Sequence, residues 1–216
     1  MAARPKHAEP RPSPRLYLVT PRLADVTGFA APLEAALAAG DVAAVLLRLE
    51  DADERTLINR VKALSPPVQD KDAALIIDGH PGLVARGGAD GAHLTGIEVF
   101  SAALATLKPE RIAGCGGLDT RHDAMLAAEQ GADYVMFGEP DAQGRRPAFA
   151  AIEERVSWWA EVFEAPCVAY AGALDEIGPL VKAGADFIAL GDFLWRDPQA
   201  TVAEAMRRLK LPETAA

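Results

Sequence analysis

Short apolar runs alternate along this chain with longer segments in which apolar residues recur every three or four positions. The short runs are typical of buried parallel strands, and the longer period is typical of helices. The pattern predicts eight strands, over 15–20, 42–49, 73–78, 91–94, 111–115, 134–137, 166–170 and 187–190. It predicts eight helices, over 30–39, 53–64, 81–86, 97–106, 119–130, 150–164, 174–182 and 198–209.

The same tripeptide occurs at three of the predicted helix-to-strand junctions. Gly-Ala-Asp stands at 88–90, 131–133 and 184–186, each time after a helical pattern and before an apolar run. We interpret each glycine as the residue that ends the helix, because glycine adopts the left-handed backbone conformation at little cost. The repeat therefore marks junctions between a helix and the strand that follows it.

Strands and helices that alternate at this spacing require parallel strand pairing. Eight such units predict an α/β fold, a single (βα)8 TIM barrel. A doubly wound open sheet is the alternative, but its Gly-rich phosphate-binding turn is missing after the first strand, where the chain has Pro21-Arg22-Leu23. We predict one barrel domain over 15–210, with a disordered Pro-rich arm over 1–14 before it and a tail over 211–216 after it.

Composition narrows the class of protein. The chain has 216 residues, half of them hydrophobic, and a formal net charge of -9. This charge disfavours binding to nucleic acid or to an anionic membrane. No window approaches the roughly 18 apolar residues of a membrane span, and the arm lacks the apolar core of a secretory signal. Cys115 and Cys167 fall in predicted strands and are expected to be buried thiols. We therefore expect a cytoplasmic protein.

The residues that follow the predicted strands are mostly polar, charged or glycine. In a (βα)8 barrel these positions meet at one face, which holds the ligand site. This composition predicts a site for a small polar ligand. The positions are Thr20, Arg48, Glu50, Asp78, His80, His93, Thr95, Glu98, Gly116, Gly117, the segment 139–146, Gly172, Gly191 and Asp192.

Six segments together resemble one protein family. They are Leu-Tyr-Leu-Val-Thr at 16–20, Val-Leu-Leu-Arg at 45–48, Leu-Ile-Ile-Asp at 75–78, Gly-Ala-Asp-Gly-Ala-His-Leu at 88–94, Gly-Ala-Asp-Tyr-Val-Met-Phe-Gly at 131–138 and Ala-Gly-Ala-Asp-Phe-Ile-Ala-Leu at 183–190. In this order the chain resembles thiamine phosphate synthase and its relative, thiazole tautomerase. The resemblance implies transfer of a hydroxymethylpyrimidine group from its diphosphate to a thiazole phosphate, with release of pyrophosphate.

The resemblance also implies roles for residues at the diphosphate end of the site. The family's Gln-x-Arg-x-Lys after the second strand corresponds to Leu46, Arg48 and Glu50, so only the arginine is kept. Asp78 corresponds to a contact with the diphosphate and the metal, and Glu98 corresponds to the second metal carboxylate. Magnesium is therefore the implied cofactor.

The resemblance assigns the other substrate-binding positions as well. The family's pyrimidine-contacting serine corresponds to Gly117, or to Gly116 with a shift of one residue. The family's Thr-x-Thr-Lys loop corresponds to residues 143–146, which end in Arg145 and Arg146. The remaining implied contacts are Arg145, Arg146, Gly172, Gly191 and Asp192. Glu50 and Asp192 replace a lysine and a serine of the family, and added negative charge in a partly desolvated pocket opposes an anionic ligand. We therefore expect a diverged diphosphate site.

Three functions stay open at this point. The first is thiamine phosphate synthase chemistry on a small phosphorylated heterocycle. The second is a barrel isomerase that uses Asp78, Asp192 or His93, and the third is a non-catalytic small-ligand sensor. Two residues also have structural interpretations, because Arg48 could pair with Asp78 or Glu50 and His93 could be a hydrogen-bonded core residue. An apolar stripe around Trp159 predicts core packing or a homodimer.

Overall fold

The computed structural model describes residues 12–210 as a closed barrel of eight parallel strands surrounded by helices. The strands are β1 (Arg15–Val19), β2 (Val42–Leu47), β3 (Ala74–Asp78), β4 (Gly91–Thr95), β5 (Ile112–Gly116), β6 (Tyr134–Phe137), β7 (Cys167–Ala171) and β8 (Phe187–Leu190). The helices are α1 (Ala30–Ala38), α2 (Glu54–Gln69), α3 (Val84–Gly87), α4 (Ile97–Leu107), α5 (Arg121–Glu129), α6 (Phe149–Val162), α7 (Ile177–Lys182) and α8 (Pro198–Leu209). Each strand pairs with the next, and β8 pairs with β1. The predicted (βα)8 fold is confirmed, and the open sheet is excluded.

The second helix is longer than its sequence pattern predicts. The pattern ends at residue 64, whereas α2 continues through Pro66 and Pro67 to Gln69. Prolines cannot donate the helical hydrogen bond, but Val68 beyond them is fully buried in the core. Burial of that apolar side chain offsets the missing hydrogen bonds, so the helix persists.

Two other helical patterns are divided. The predicted helix over 81–86 is a 3-10 turn, Pro81–Leu83, followed by the short α3, and the one over 174–182 is the turn Leu174–Glu176 followed by α7. Most of the predicted arm, residues 1–11, and the whole predicted tail lie outside the described residues. Within the described range, no helix is both long and apolar enough to cross a membrane.

Apolar side chains form two layers, one inside the barrel and one between the strands and the helices. The interior layer includes Tyr17, Leu46, Tyr134 and Tyr170, and the outer layer contains the other face of every strand. Because side chains alternate along a strand, each strand contributes to both layers. The two cysteines are buried in the outer layer, as expected.

The three Gly-Ala-Asp repeats end helices and also tie neighbouring strands together. Gly88, Gly131 and Gly184 adopt positive φ angles of 78°, 94° and 96°, which confirms their predicted role. Each aspartate then accepts a hydrogen bond from a backbone N–H at the start of the preceding strand. The pairs are Asp90 with Leu75 at 2.7 Å, Asp133 with Ala113 at 2.7 Å and Asp186 with Cys167 at 2.8 Å. The aspartates therefore hold the amino-terminal end of the barrel in register.

We expect replacement of Asp90 by alanine to lower the free energy of unfolding by about 1 to 3 kcal/mol, because the buried N–H of Leu75 loses its acceptor. Denaturant unfolding followed by circular dichroism measures the loss. Asp70→Ala is the matched control, since that aspartate is exposed at the end of α2 near the same end of the barrel, and we expect a change within about 0.5 kcal/mol. Equal losses in the two variants would contradict this role.

Candidate active site

A chain of hydrogen-bonded side chains crosses the inside of the barrel. The hydroxyl oxygens of Tyr17 and Tyr134 lie 2.8 Å apart, and the Tyr134 hydroxyl lies 3.1 Å from His93 Nδ1. Gly114 on β5 makes room for this arrangement, because a Cβ at that position would lie 2.0 Å from the Tyr134 ring. His93 is therefore a buried, hydrogen-bonded residue, as its structural interpretation predicts.

Burial keeps His93 uncharged at neutral pH. It lowers the pKa of this imidazole to about 4, and the negative charge of nearby Asp78 opposes that effect only in part. Burial also raises the pKa of Tyr17 and of Tyr134. The network of Tyr17, Tyr134 and His93 is thus uncharged near pH 7, and its hydrogen bonds join neutral groups.

We expect this histidine to destabilise the barrel in acid. Below its unfolded pKa of about 6.5, the unfolded chain binds a proton that buried His93 does not bind. The stability contribution is intact above pH 6.5 and is lost as the pH falls to about 4, by about 3 kcal/mol in total. Urea unfolding of the wild type and of His93→Gln, each at pH 7 and at pH 4, measures this loss of stability. The difference in free energy of unfolding between the two proteins should change by about 3 kcal/mol from the higher to the lower pH. A difference that does not depend on pH would contradict this role of His93.

Glu139 adds a carboxyl group to the same region, and the sequence named it only as the first residue of the segment 139–146, without a role of its own. It lies two residues after the end of β6, is half-buried, and accepts a hydrogen bond from the backbone N–H of Gly117 at 2.5 Å. A Cβ at Gly116 would lie 2.1 Å from Glu139 Oε1 and 2.6 Å from His93 Nε2, so both atoms border the space above this glycine. Burial raises the pKa of Glu139 to about 7, although the hydrogen bond from Gly117 acts in the opposite direction.

A weak signal for this carboxyl exists in the sequence. A glycine in a strand often marks close approach of another group, and β5 carries Gly114 and Gly116 on its inner face. Glu139 stands two residues beyond the end of the next apolar run, at the face where ligand-binding residues gather. The two observations together could have pointed to a side chain that fills the space above β5.

Arg48 reaches across the barrel mouth from the end of β2. Its Nη2 lies 2.6 Å from Asp192 Oδ1, and its Nε donates to the backbone oxygen of Thr20 at 2.5 Å. Neither Asp78 nor Glu50 is its ion-pair partner among the described residues, so that part of the structural interpretation is wrong. The reason is strand order, because β1 lies between β2 and β8 and brings their ends together. Asp78 instead lies 3.7 Å from Arg22.

Arg146 and Gly172 share a carboxylate of the chain itself. Arg146 Nη2 lies 3.0 Å from Glu176 Oε2 and donates to the backbone oxygen of Tyr170 at 2.8 Å. The N–H of Gly172 donates to the same Oε2 at 2.6 Å. The position that the family resemblance assigns to a phosphate therefore holds the side chain of Glu176, another residue that the sequence did not identify.

The other candidates are spread more widely. Arg145 is exposed and hydrogen-bonds to Asp141 and Gln143 of its own loop. Gly191 packs against Tyr170, since a Cβ there would lie 1.7 Å from the tyrosine hydroxyl oxygen. The structure thus joins Arg48 with Asp192 and Arg146 with Gly172, whereas Arg145 turns to its own loop.

The described residues do not form a metal centre by themselves. No group of three or more histidine, cysteine, aspartate or glutamate side chains among residues 12–210 is placed to hold a metal ion. Glu98 is exposed in the first turn of α4. Asp78 lies near Arg22, whose positive charge competes with a cation. The donor set therefore does not fit a resident magnesium ion.

These features define a class of protein, the small-ligand (βα)8 barrels whose site lies at the carboxyl ends of the strands. A family model described as thiamine monophosphate synthase matches residues 16–193. The chain therefore belongs to the thiamine monophosphate synthase family.

Individual relatives agree with this assignment. The chain is 43% identical over 192 residues to a thiamine-phosphate synthase of Rhodospirillum centenum, covering 88% of this chain and 93% of that protein. It is 37% identical over 199 residues to one of Hyphomonas neptunium, covering 87% and 89%. The solved thiamine phosphate pyrophosphorylase from Pyrococcus furiosus superposes with a TM-score of 0.75 at 22% identity, over 91% of this chain and 95% of that chain. This last similarity supports the fold.

Proposed function

We propose that this protein joins hydroxymethylpyrimidine diphosphate to a thiazole phosphate and releases pyrophosphate. Membership of the family supports the reaction, and the position of Arg48 at the barrel mouth carries the proposal. In this reaction the carbon–oxygen bond of the diphosphate ester breaks and its electron pair leaves on pyrophosphate. The thiazole ring nitrogen then supplies the electron pair of the new bond to carbon.

Arg48 provides the positive charge that the departing diphosphate needs. A guanidinium can donate two parallel hydrogen bonds to phosphate oxygens, and stabilising charge that develops on a leaving group is a large part of catalysis. Asp192, its present partner, has a side chain that is 73% exposed, whereas that of Arg48 is 18% exposed. Asp192 can therefore turn into solvent while Arg48 stays in place for the diphosphate.

Magnesium is a separate part of the proposal. The ion usually keeps several waters and binds through one or two carboxylates together with substrate phosphates. Asp78 is the carboxylate at the mouth that the resemblance assigns to this role, while Glu98 is exposed on α4. We propose that any magnesium requirement comes with the diphosphate, and assays with and without the ion test this.

We expect the chain to restore growth of a thiamine-requiring bacterial strain that lacks its own thiamine phosphate synthase, on medium without thiamine. The reason is that such growth requires thiamine phosphate to be formed from its two precursors. The same strain with the empty expression vector serves as the negative control. Failure of the well-expressed wild type to support growth, with rescue by added thiamine, would contradict the proposal.

A non-catalytic ligand sensor is the second candidate, and one observation favours it. Glu176 already neutralises Arg146 and occupies the N–H of Gly172, and its side chain is only 19% exposed. Displacement of this carboxylate by a phosphate costs more than displacement of exposed Asp192. Saturable binding of either substrate without any turnover would support the sensor.

Three coarser expectations belong with this proposal. The ligands are small molecules, and the net charge of -9 disfavours nucleic acid. A cytoplasmic location and a homodimer stay predictions. Trp159 is 1% exposed and stacks on Phe163, which supports core packing for the apolar stripe of α6. Light scattering of the purified protein measures whether a dimer forms.

A further inference from the structure

The site has a gap where the pyrimidine is expected. The family resemblance assigns a pyrimidine contact to the position of Gly117, or to Gly116 with a shift of one residue, and neither glycine has a side chain. On the opposite side of the barrel interior, the family's glutamine corresponds to Leu46, which is buried and apolar. A pyrimidine bound in this chain would therefore find no hydrogen-bonding side chain at these three positions.

Glu139 fills this gap from the neighbouring strand. Its Oε1 accepts the N–H of Gly117 and lies where a Cβ of Gly116 would stand, next to His93 Nε2. Gly116 at the end of β5 is what allows the carboxyl to lie there, because any side chain at this position would displace it. The carboxyl is thus held by the N–H of Gly117, while the residue as a whole is only half-buried.

We propose that Glu139 recognises the amino edge of the hydroxymethylpyrimidine. This edge presents a ring nitrogen that accepts a hydrogen bond beside an exocyclic amino group that donates one. A protonated carboxyl group offers the complementary pair, an O–H donor and a C=O acceptor. The inference rests on the proposed function for the identity of the ligand, but it assigns a group that is specific to this chain.

The surroundings raise the fraction of the carboxyl that is in the protonated form, which this pairing needs. The pKa of Glu139 near 7 leaves a large protonated fraction at neutral pH. The titratable or charged groups that act on it are Tyr17 on β1, Asp78 on β3, His93 on β4, Cys115 on β5, Tyr134 on β6 and Arg155 on α6. The pKa of His93 is lowered by burial, and burial raises the pKa values of both tyrosines and of Cys115. The histidine, the two tyrosines and the cysteine therefore stay uncharged between about pH 6 and pH 8.

Calorimetric binding of the hydroxymethylpyrimidine alcohol, which carries no phosphate, tests the assignment. We expect Glu139→Leu to weaken binding by about 10- to 100-fold, because two hydrogen bonds to buried groups are lost. Glu139→Gln offers both a donor and an acceptor, so we expect binding within about fivefold of the wild type at pH 7. Wild-type binding should weaken from pH 6 to pH 8, and the Gln variant should not show this change. Glu161→Leu, an exposed site on α6, is the matched control.

A second test needs no variant. A pyrimidine alcohol that lacks the amino group should bind the wild type about 10- to 100-fold more weakly than the parent compound. Equal affinity for the two compounds, or no measurable binding of the parent, overturns the inference, as does unchanged affinity in folded Glu139→Leu. If the protein binds the pyrimidine through Glu139 but releases no pyrophosphate, the inference stands and the proposed transferase function fails.

Discussion

Replacement of Gly91 by alanine is expected to prevent folding of the barrel or to lower its free energy of unfolding by about 3 kcal/mol or more. A Cβ at this position would lie 2.3 Å from the backbone oxygen of Ile112 and 2.8 Å from its carbonyl carbon. These atoms belong to β5, which pairs with β4 directly opposite Gly91. Because the clash is with backbone of a neighbouring strand, no side-chain rotation can relieve it.

Gly178→Ala is the matched control for that substitution. Gly178 lies inside α7, and a Cβ there would meet no atom within 4 Å. Alanine has a higher helix propensity than glycine, so we expect the free energy of unfolding of this variant to rise by about 0.5 to 1 kcal/mol. Chemical denaturation followed by circular dichroism measures both variants. Similar stabilities for the two would contradict the strand packing described above.

The largest expected effect on activity comes from Arg48→Ala. We expect turnover to fall by about 100- to 1,000-fold, because the departing diphosphate loses its guanidinium contact. Steady-state measurement of pyrophosphate release gives the change. Arg48→Lys keeps the charge but cannot donate to the backbone oxygen of Thr20 and to a phosphate in the same fixed geometry, so we expect partial activity.

Two controls accompany the Arg48→Ala activity measurement: the stability of the same variant, and the activity of a variant of a surface arginine. The ion pair of Arg48 with exposed Asp192 should contribute at most about 1 kcal/mol, so the alanine variant should remain folded. Arg207→Ala on α8 removes an exposed arginine that pairs with Glu204, and its activity should match the wild type. Comparable losses of activity in the Arg48 and Arg207 variants would show that charge in general, and not this position, matters.

The fold was predictable because each of its signals is local. The apolar runs and the glycine of each Gly-Ala-Asp repeat act within one strand or one helix end, so the pattern along the chain reveals them. The end of α2 was not predictable in the same way. Whether a helix continues through Pro66 and Pro67 depends on the burial of Val68 against other elements, which the helix sequence alone does not contain.

The site was predictable in part, for a related physical reason. Strand order places Arg48 and Asp192 at the same face, and the sequence identified both. Their pairing depends on the distance between the ends of β2 and β8, which follows from barrel closure. Glu176 accepts a hydrogen bond from the backbone N–H of Gly172, and a backbone contact leaves no residue type by which to recognise it. For Glu139 the sequence holds only the weak signal of the glycines in β5.

The central claim is that the barrel mouth around Arg48 carries out the family's transfer reaction. Pyrophosphate release by the purified full-length chain, with hydroxymethylpyrimidine diphosphate and thiazole phosphate in magnesium-containing buffer, tests it most directly. We predict a rate that saturates in both substrates and depends on the presence of the thiazole phosphate. A folded protein that binds both compounds and forms no pyrophosphate at any concentration of either would contradict the claim.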